Sequence, residues 1–283
     1  MTTVLGRPAA PPAPPAPAPR PRGGGGRARR WTLRGAALLA FVALWQLLTV
    51  HRVRLWVRFD HLPTADQVGR ALVRQVATGQ YWQDLAESLR RIGGGFLLAA
   101  LLGVATGVLL ARSRTAADLI GPVLELVRPI PAIALVPVAI MLFPENEQGI
   151  VFITFAAAYF PVTVATRHAV RAVPPRWEEA VRTMGAGRAR VLWSVVLPGA
   201  LPGVVGGLSV GIGVAWICVI SAEMISGQFG VGYRTWQAYT VLDYPGVFVG
   251  MATIGLLGRL TSGAVELLGR RLTRWLPPTP GSD

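Results

Sequence analysis

The sequence contains no lysine, because all 28 of its basic residues are arginine. A lysine-dependent nucleotide loop, a Schiff-base lysine and a lysine general base are therefore excluded, so any ATP linked to this chain is hydrolysed by another one. It has one cysteine, Cys218, and three scattered histidines, His51, His61 and His168. That set supplies neither a disulfide nor a structural zinc site. Charge is scarce too: 15% of the 283 residues are charged and 52% are hydrophobic, with mean hydropathy +0.46. The balance is too apolar for an ordinary water-soluble domain and indicates a membrane protein.

Residues 1–30 are dominated by Pro, Gly, Ala and Arg and hold little that can form a core, so a disordered tail is expected. Residues 31–50 are apolar enough to span about 30 Å of hydrocarbon and read as the first transmembrane helix, with no convincing cleavage site after it. In the polar interval up to Arg91, Thr64 is an expected N-cap, and Val68, Leu72 and Val76 recur every four residues. This external helix, within a unit of residues 31–91, reads equally as an amphipathic helix on the membrane surface and as one packed on other loops.

Five further apolar segments, about Ile92–Ala111, Val123–Phe143, Gly149–Thr166, Val195–Ile220 and Val247–Leu268, bring the expectation to six spans. Pro129, Pro131 and Pro137 should kink the third. Small residues are dense in the second and fifth, which allows close helix contact inside a bundle. The membrane-spanning core is then residues 92–268, with a long loop at 167–190 and a C-terminal tail at 269–283.

The arginines give the orientation. Residues 1–34, 112–128, 167–190 and 259–283 hold 7, 3, 6 and 4 of them, 20 in all, against 8 on the other side. The 8 are matched by 8 acids there (Asp60, Asp66, Asp84, Glu87, Glu145, Glu147, Glu223 and Asp243), so the formal net charge of +14 falls on one side. By the positive-inside rule that side is cytoplasmic, both termini included. Topology accounts for the charge without any nucleic-acid partner.

The loop at 167–190 parses as a helix, a glycine turn and a second helix. Pro174 and Pro175 suit a helix start, Glu178 and Glu179 fall in its first turn, and Gly185 and Gly187 end it. Trp177, Ala180, Val181 and Met184 recur at helical spacing as an apolar face, rimmed by arginines. Such a helix suits a groove on a cytosolic partner, or packing beneath its own bundle.

Glu179-Ala180-Val181, three residues, Gly185, nine residues, then Val195-Val196-Leu197-Pro198 resembles the EAA signature of the membrane subunits of binding-protein-dependent ABC importers. Val181 and Val195 are its two mild departures. The resemblance extends over about Leu62–Trp275 and is similar to the branch for nitrate, taurine, aliphatic sulfonates and related anions, whose members also include carriers of pyrimidine precursors of thiamine. Where that branch has a Phe-Gly-like turn after the third span, this chain reads Phe143-Pro144-Glu145-Asn146.

The resemblance implies an all-α, polytopic membrane protein of six transmembrane helices with the type I ABC importer permease fold, multi-pass in the cell membrane. It implies a homodimeric pathway, an external solute-binding protein, and two copies of a cytosolic ATPase that bind ATP and Mg; this chain would hold no cofactor and would not be an enzyme. Trp177, Glu179, Ala180, Val181, Met184 and Gly185 would dock on the ATPase, with Gly185 allowing a tight turn, Glu179 capping or bridging, Ala180 allowing close approach, and Leu197 and Pro198 setting where the fifth span begins. Glu223 is an expected gating or solute contact, for instance pairing with Arg234, and Arg128 a second possible contact or a positive-inside anchor. Arg90 and Arg91 mark the outer interface, and His168 a solvated face. An ion-coupled secondary transporter is the alternative from another class; it would need intramembrane acids beyond Glu223.

Overall fold

The computed structural model describes residues 25–51, 62–226 and 228–275. Among them the chain is helical, with no strand. In chain order the α-helices are α1 (Gly25–Val50), α2 (Ala65–Val76), α3 (Gly79–Arg112), α4 (Arg114–Val127), α5 (Val136–Leu142), α6 (Asn146–Arg171), α7 (Pro175–Thr183), α8 (Arg188–Val191), α9 (Leu197–Ser226), α10 (Val231–Thr240) and α11 (Tyr244–Leu272). Five stretches are long and apolar enough to cross a membrane, and the bent pair formed by α4 and Ala132–Leu142 makes a sixth if counted as one span.

Several boundaries differ from the sequence expectation. Of the tail expected over residues 1–30, residues 1–24 lie outside the described residues, whereas Gly25–Arg30 open α1, where Ala28 and three arginines are good helix formers. The second span is no separate unit beginning at Ile92. Nothing between Tyr81 and Ile92 breaks a helix, so α3 runs unbroken for 34 residues, about 51 Å, well beyond the hydrocarbon thickness. The third span is broken more sharply than a kink: α4 ends at Val127 and the chain turns by 83° before Ala132, where Pro129 and Pro131 have no N–H groups to carry the helical ladder onward.

α6 is the centre of the bundle. On one side α3 lies against it through glycines: a Cβ at Gly95 would stand 2.7 Å from Thr154 Cβ, and one at Gly107 would stand 2.6 Å from Thr166 Cβ. On the other side Gly203 and Gly207 of α9 meet Ala169 and Ala165. The absent side chains let both neighbours approach at backbone distance, where dispersion contacts are densest. A core cluster of Ile92, Ala99, Val136, Ile153, Ala158, Trp216 and Val219 fills the middle, and a second cluster of Val170, Val173, Val191, Val196 and Val204 closes the end beneath α7. At the other end Thr64 caps α2 in a reciprocal capping box with Gln67, and Ala71 of α2 packs with Tyr81 and Val249. Among the described residues α2 thus packs against α1, α3 and α11, and its Ala65 N–H donates to Gln46 Oε1 of α1 at 2.8 Å.

Candidate functional site

The two ends of the bundle carry separate polar systems. Every ion pair among the described residues joins groups that the arginine count assigns to the same side, which agrees with a chain whose charges were sorted by topology.

At the arginine-rich end, Pro174 is the N-cap of α7 and Pro175 its first residue, where a missing N–H costs no bond. The helix stops in a Schellman motif: the Gly185 N–H donates to the Arg182 carbonyl at 2.9 Å and the Ala186 N–H to the Val181 carbonyl at 3.3 Å. Gly185 has φ +85°, a conformation strained for residues with a Cβ, although a Cβ there would meet nothing within 4 Å of this chain. Glycine is required by the backbone here and not by crowding within the chain.

The expected apolar face of α7 divides. Val181 packs into the cluster beneath, and the Trp177 ring lies near Gly199. Ala180 and Glu179 are exposed, and Met184 is 77% exposed. Bridging falls to Glu178 and not to Glu179: Arg112 at the end of α3 donates from Nη1 and Nη2 to the two Glu178 oxygens at 2.6 and 2.9 Å, and Arg182 adds a longer bond. Those bonds hold the Glu178 carboxyl below its ordinary value, with burial opposing in part. Glu179 makes no hydrogen bond or ion pair among the described residues, which leaves its carboxylate free.

Leu197 and Pro198 open α9, the α-helical part of the fifth span, although the apolar stretch starts earlier. The apolar helix runs from Arg188 to Ser226. Pro198 cannot donate to the Ser194 carbonyl, and just upstream Leu192–Val196 widens into a π turn in which the Leu197 N–H reaches Leu192. The pair marks the exit from that turn.

At the opposite end Glu223 is 0% exposed and bonded from three sides. The Ser88 hydroxyl donates to it at 2.7 Å, Arg91 Nη1 at 3.0 Å and the Gly232 N–H at 2.9 Å. Its partner is Arg91, itself 1% exposed, and not the expected Arg234, which pairs with Asp84 at 3.0 Å. Arg91 also bonds Glu147 and donates to the Phe229 carbonyl at 2.6 Å. Arg91 is therefore no interface marker; it pins the connection before α10 onto α3, and Glu223 presents no free oxygen to a solute. Gly230, with φ +116°, passes so close that a Cβ would stand 2.5 Å from the Glu223 carboxyl carbon.

Between the ends, Arg128 lies at the break after α4 and lines an open cavity of about 700 Å³ shared with His168 of α6 and small residues of α9. Both residues are exposed and make no side-chain hydrogen bond or ion pair among the described residues. No cluster of His, Cys, Asp and Glu suited to a metal occurs among the described residues.

Residues 70–274 match the family model described as binding-protein-dependent transport system inner membrane component. A probable ABC transporter permease of Brucella melitensis is 34% identical over 249 residues, covering 87% of this chain and 99% of that protein. The taurine transport system permease protein TauC of Escherichia coli is 35% identical, covering 69% of this chain and 70% of the relative. The bicarbonate transport system permease protein CmpB of Synechococcus elongatus is 32% identical with the same coverages. Among solved structures, the inward-facing methionine ABC transporter MetNI superposes with TM-score 0.57 at 21% identity, over 69% of this chain and 96% of the other.

Proposed function

The chain belongs to the family of binding-protein-dependent transport system inner membrane components, as the non-catalytic, multi-pass permease subunit of an ABC importer that works with a separate ATPase and a solute-binding protein, and from that premise we propose how it couples and what it carries. Two copies form the pathway in the cell membrane with both termini cytoplasmic, and each receives one of two ATPase subunits, where ATP and Mg reside. The outer strip of α7, formed by Glu179, Ala180 and Met184, seats in a groove on the ATPase. Trp177 and Val181 transmit its movement to the bundle.

The observation that supports this reading is the division of α7 into a tethered side and a free side. Arg112 holds Glu178, Val181 is packed beneath, and the opposite strip is open. A helix so held moves with α3 when its free side is pushed, which is what mechanical coupling requires.

The solute is a small anion or sulfonate, such as nitrate, an aliphatic sulfonate or taurine. Taurine and bicarbonate carriers among the relatives support that class. The test is ATP hydrolysis by the chain co-expressed with its ATPase in vesicles, with and without loaded binding protein, in wild type and Gly185→Val. Stimulation lost in the variant while the protein reaches the membrane supports coupling through α7; equal stimulation overturns it.

A further inference from the structure

At the outer end Arg90, Arg91 and Arg234 are each bonded to a carboxylate. Arg128 differs: it is exposed to the 700 Å³ cavity, and no described residue pairs with it. The lining of that cavity includes no Asp or Glu, so a positively charged solute finds no counter-charge there.

A second, smaller cavity of about 130 Å³ adjoins it and shares Arg128 and His168. Here Thr163 is 3% exposed and its hydroxyl has no partner among the described residues. Arg167 lines the same space with an unpartnered, buried Nε, its Nη1 lying 3.7 Å from the mostly exposed Glu125. Leaving a buried donor unpaired is costly. Where several such donors meet around one space, a ligand that only accepts hydrogen bonds satisfies them all. Arginine and hydroxyl donors suit the flat, multi-oxygen face of an oxyanion.

Resting on the small-anion reading above, we infer that Arg128, with His168, Thr163 and Arg167, forms a station that binds the oxyanion group of the solute in the cytoplasmic half of the pathway. The station sits where α4 breaks from the following short helices, so movement of the bundle alters it directly. Binding need only be weak, because a pathway site must release what it takes.

The test places a cysteine at Val164, which lines both cavities. The native Cys218 is buried, so the added thiol reports alone. In the complete transporter its rate of modification is compared for 2-sulfonatoethyl and 2-trimethylammonioethyl methanethiosulfonate. Arg128→Gln is expected to lower the anionic-to-cationic rate ratio by about tenfold, within the range by which a charged cleft concentrates ions, while Arg128→Lys keeps most of it. In vesicles carrying nitrate-, taurine- or ethanesulfonate-loaded binding protein, Arg128→Gln should lower uptake by a similar factor. A ratio and an uptake unchanged by Arg128→Gln, in a wild type that carries one of these anions, would overturn the station and leave the small-anion reading standing. A wild type that carries only a neutral or cationic solute would overturn both.

Discussion

Arg112 grips both carboxylate oxygens of Glu178, residues 66 positions apart, and so fastens the first turn of α7 to the end of the longest helix in the bundle. The pair joins α3, which runs to the opposite end of the bundle, to α7, whose other side is exposed. It is a bidentate bond at a partly exposed site, worth on the order of 1 kcal/mol. Such a bond matters less for stability than for where a force applied to α7 goes.

Breaking that bond should uncouple before it unfolds. Arg112→Ala is expected to cut binding-protein-stimulated ATP hydrolysis several-fold while thermal stability in detergent changes little. The exchange Arg112→Glu with Glu178→Arg should restore part of the stimulation, and no recovery would mean that the bond is only a surface contact.

The same bond gives a pH dependence of definite sign. Arg112 holds the Glu178 carboxyl below its ordinary 4.5, so its contribution is complete above that value and is lost as pH falls through the lowered folded value. Hydrogen exchange of the α7 amides, corrected for intrinsic rates, should be constant from pH 7 to pH 5.5 and rise only below about 4.5. In Glu178→Gln the added rise at low pH should vanish.

At Gly185 the demand is on φ, so substitutions should rank by tolerance of the left-handed region and not by size. Gly185→Asn should keep more stimulated hydrolysis than Gly185→Ala, and Gly185→Val should keep least, with a backbone cost of about 1 kcal/mol or more. A ranking by side-chain volume would instead place the constraint in the partner's groove.

The buried Arg91–Glu223 pair makes an asymmetric prediction. Arg91→Met leaves the Glu223 carboxylate without a cation in a fully enclosed site and should destabilise by about 3–5 kcal/mol. Adding Glu223→Gln should recover a good part of that loss. Melting temperatures of the purified complex measure both.

Glycines of α3 should respond oppositely according to what they face. A Cβ at Gly107 would stand 2.7 Å from the Thr163 carbonyl, whereas one at Gly93 meets nothing. Gly107→Ala should therefore lower the melting temperature, and Gly93→Ala should hold or raise it, since alanine is favoured over glycine in a helix by up to about 1 kcal/mol.

How far the sequence reveals all this depends on the range of the interaction. The α7 turn is legible because Gly185 and its two closing bonds lie within six residues, and the break after α4 is legible as prolines although its 83° is not. The partner of Glu223 was not: Arg234 is the near candidate in sequence, yet Arg91, 132 residues away, holds it. The small-residue pattern pointed to α3 and α9, but the helix between them, α6, is the central one, and it meets their glycines with Thr154, Thr166, Ala165 and Ala169. Its alanines and threonines carry no stronger burial signal than the apolar faces that stay exposed in this chain, since a membrane span is apolar on every side. Glu178 and Glu179 are equivalent by helix position; only the end of α3 decides which one is bridged.

The most direct measurement is cross-linking of α7 to the ATPase in the complete transporter, from a single cysteine at Ala180 on the free strip or at Val181 on the packed side. The expected result is a specific permease–ATPase adduct from Ala180→Cys whose yield changes when ATP and Mg are supplied, with little from Val181→Cys. Equal yields from both positions, or none from Ala180 in a complex that still transports, would contradict coupling through the outer strip of α7.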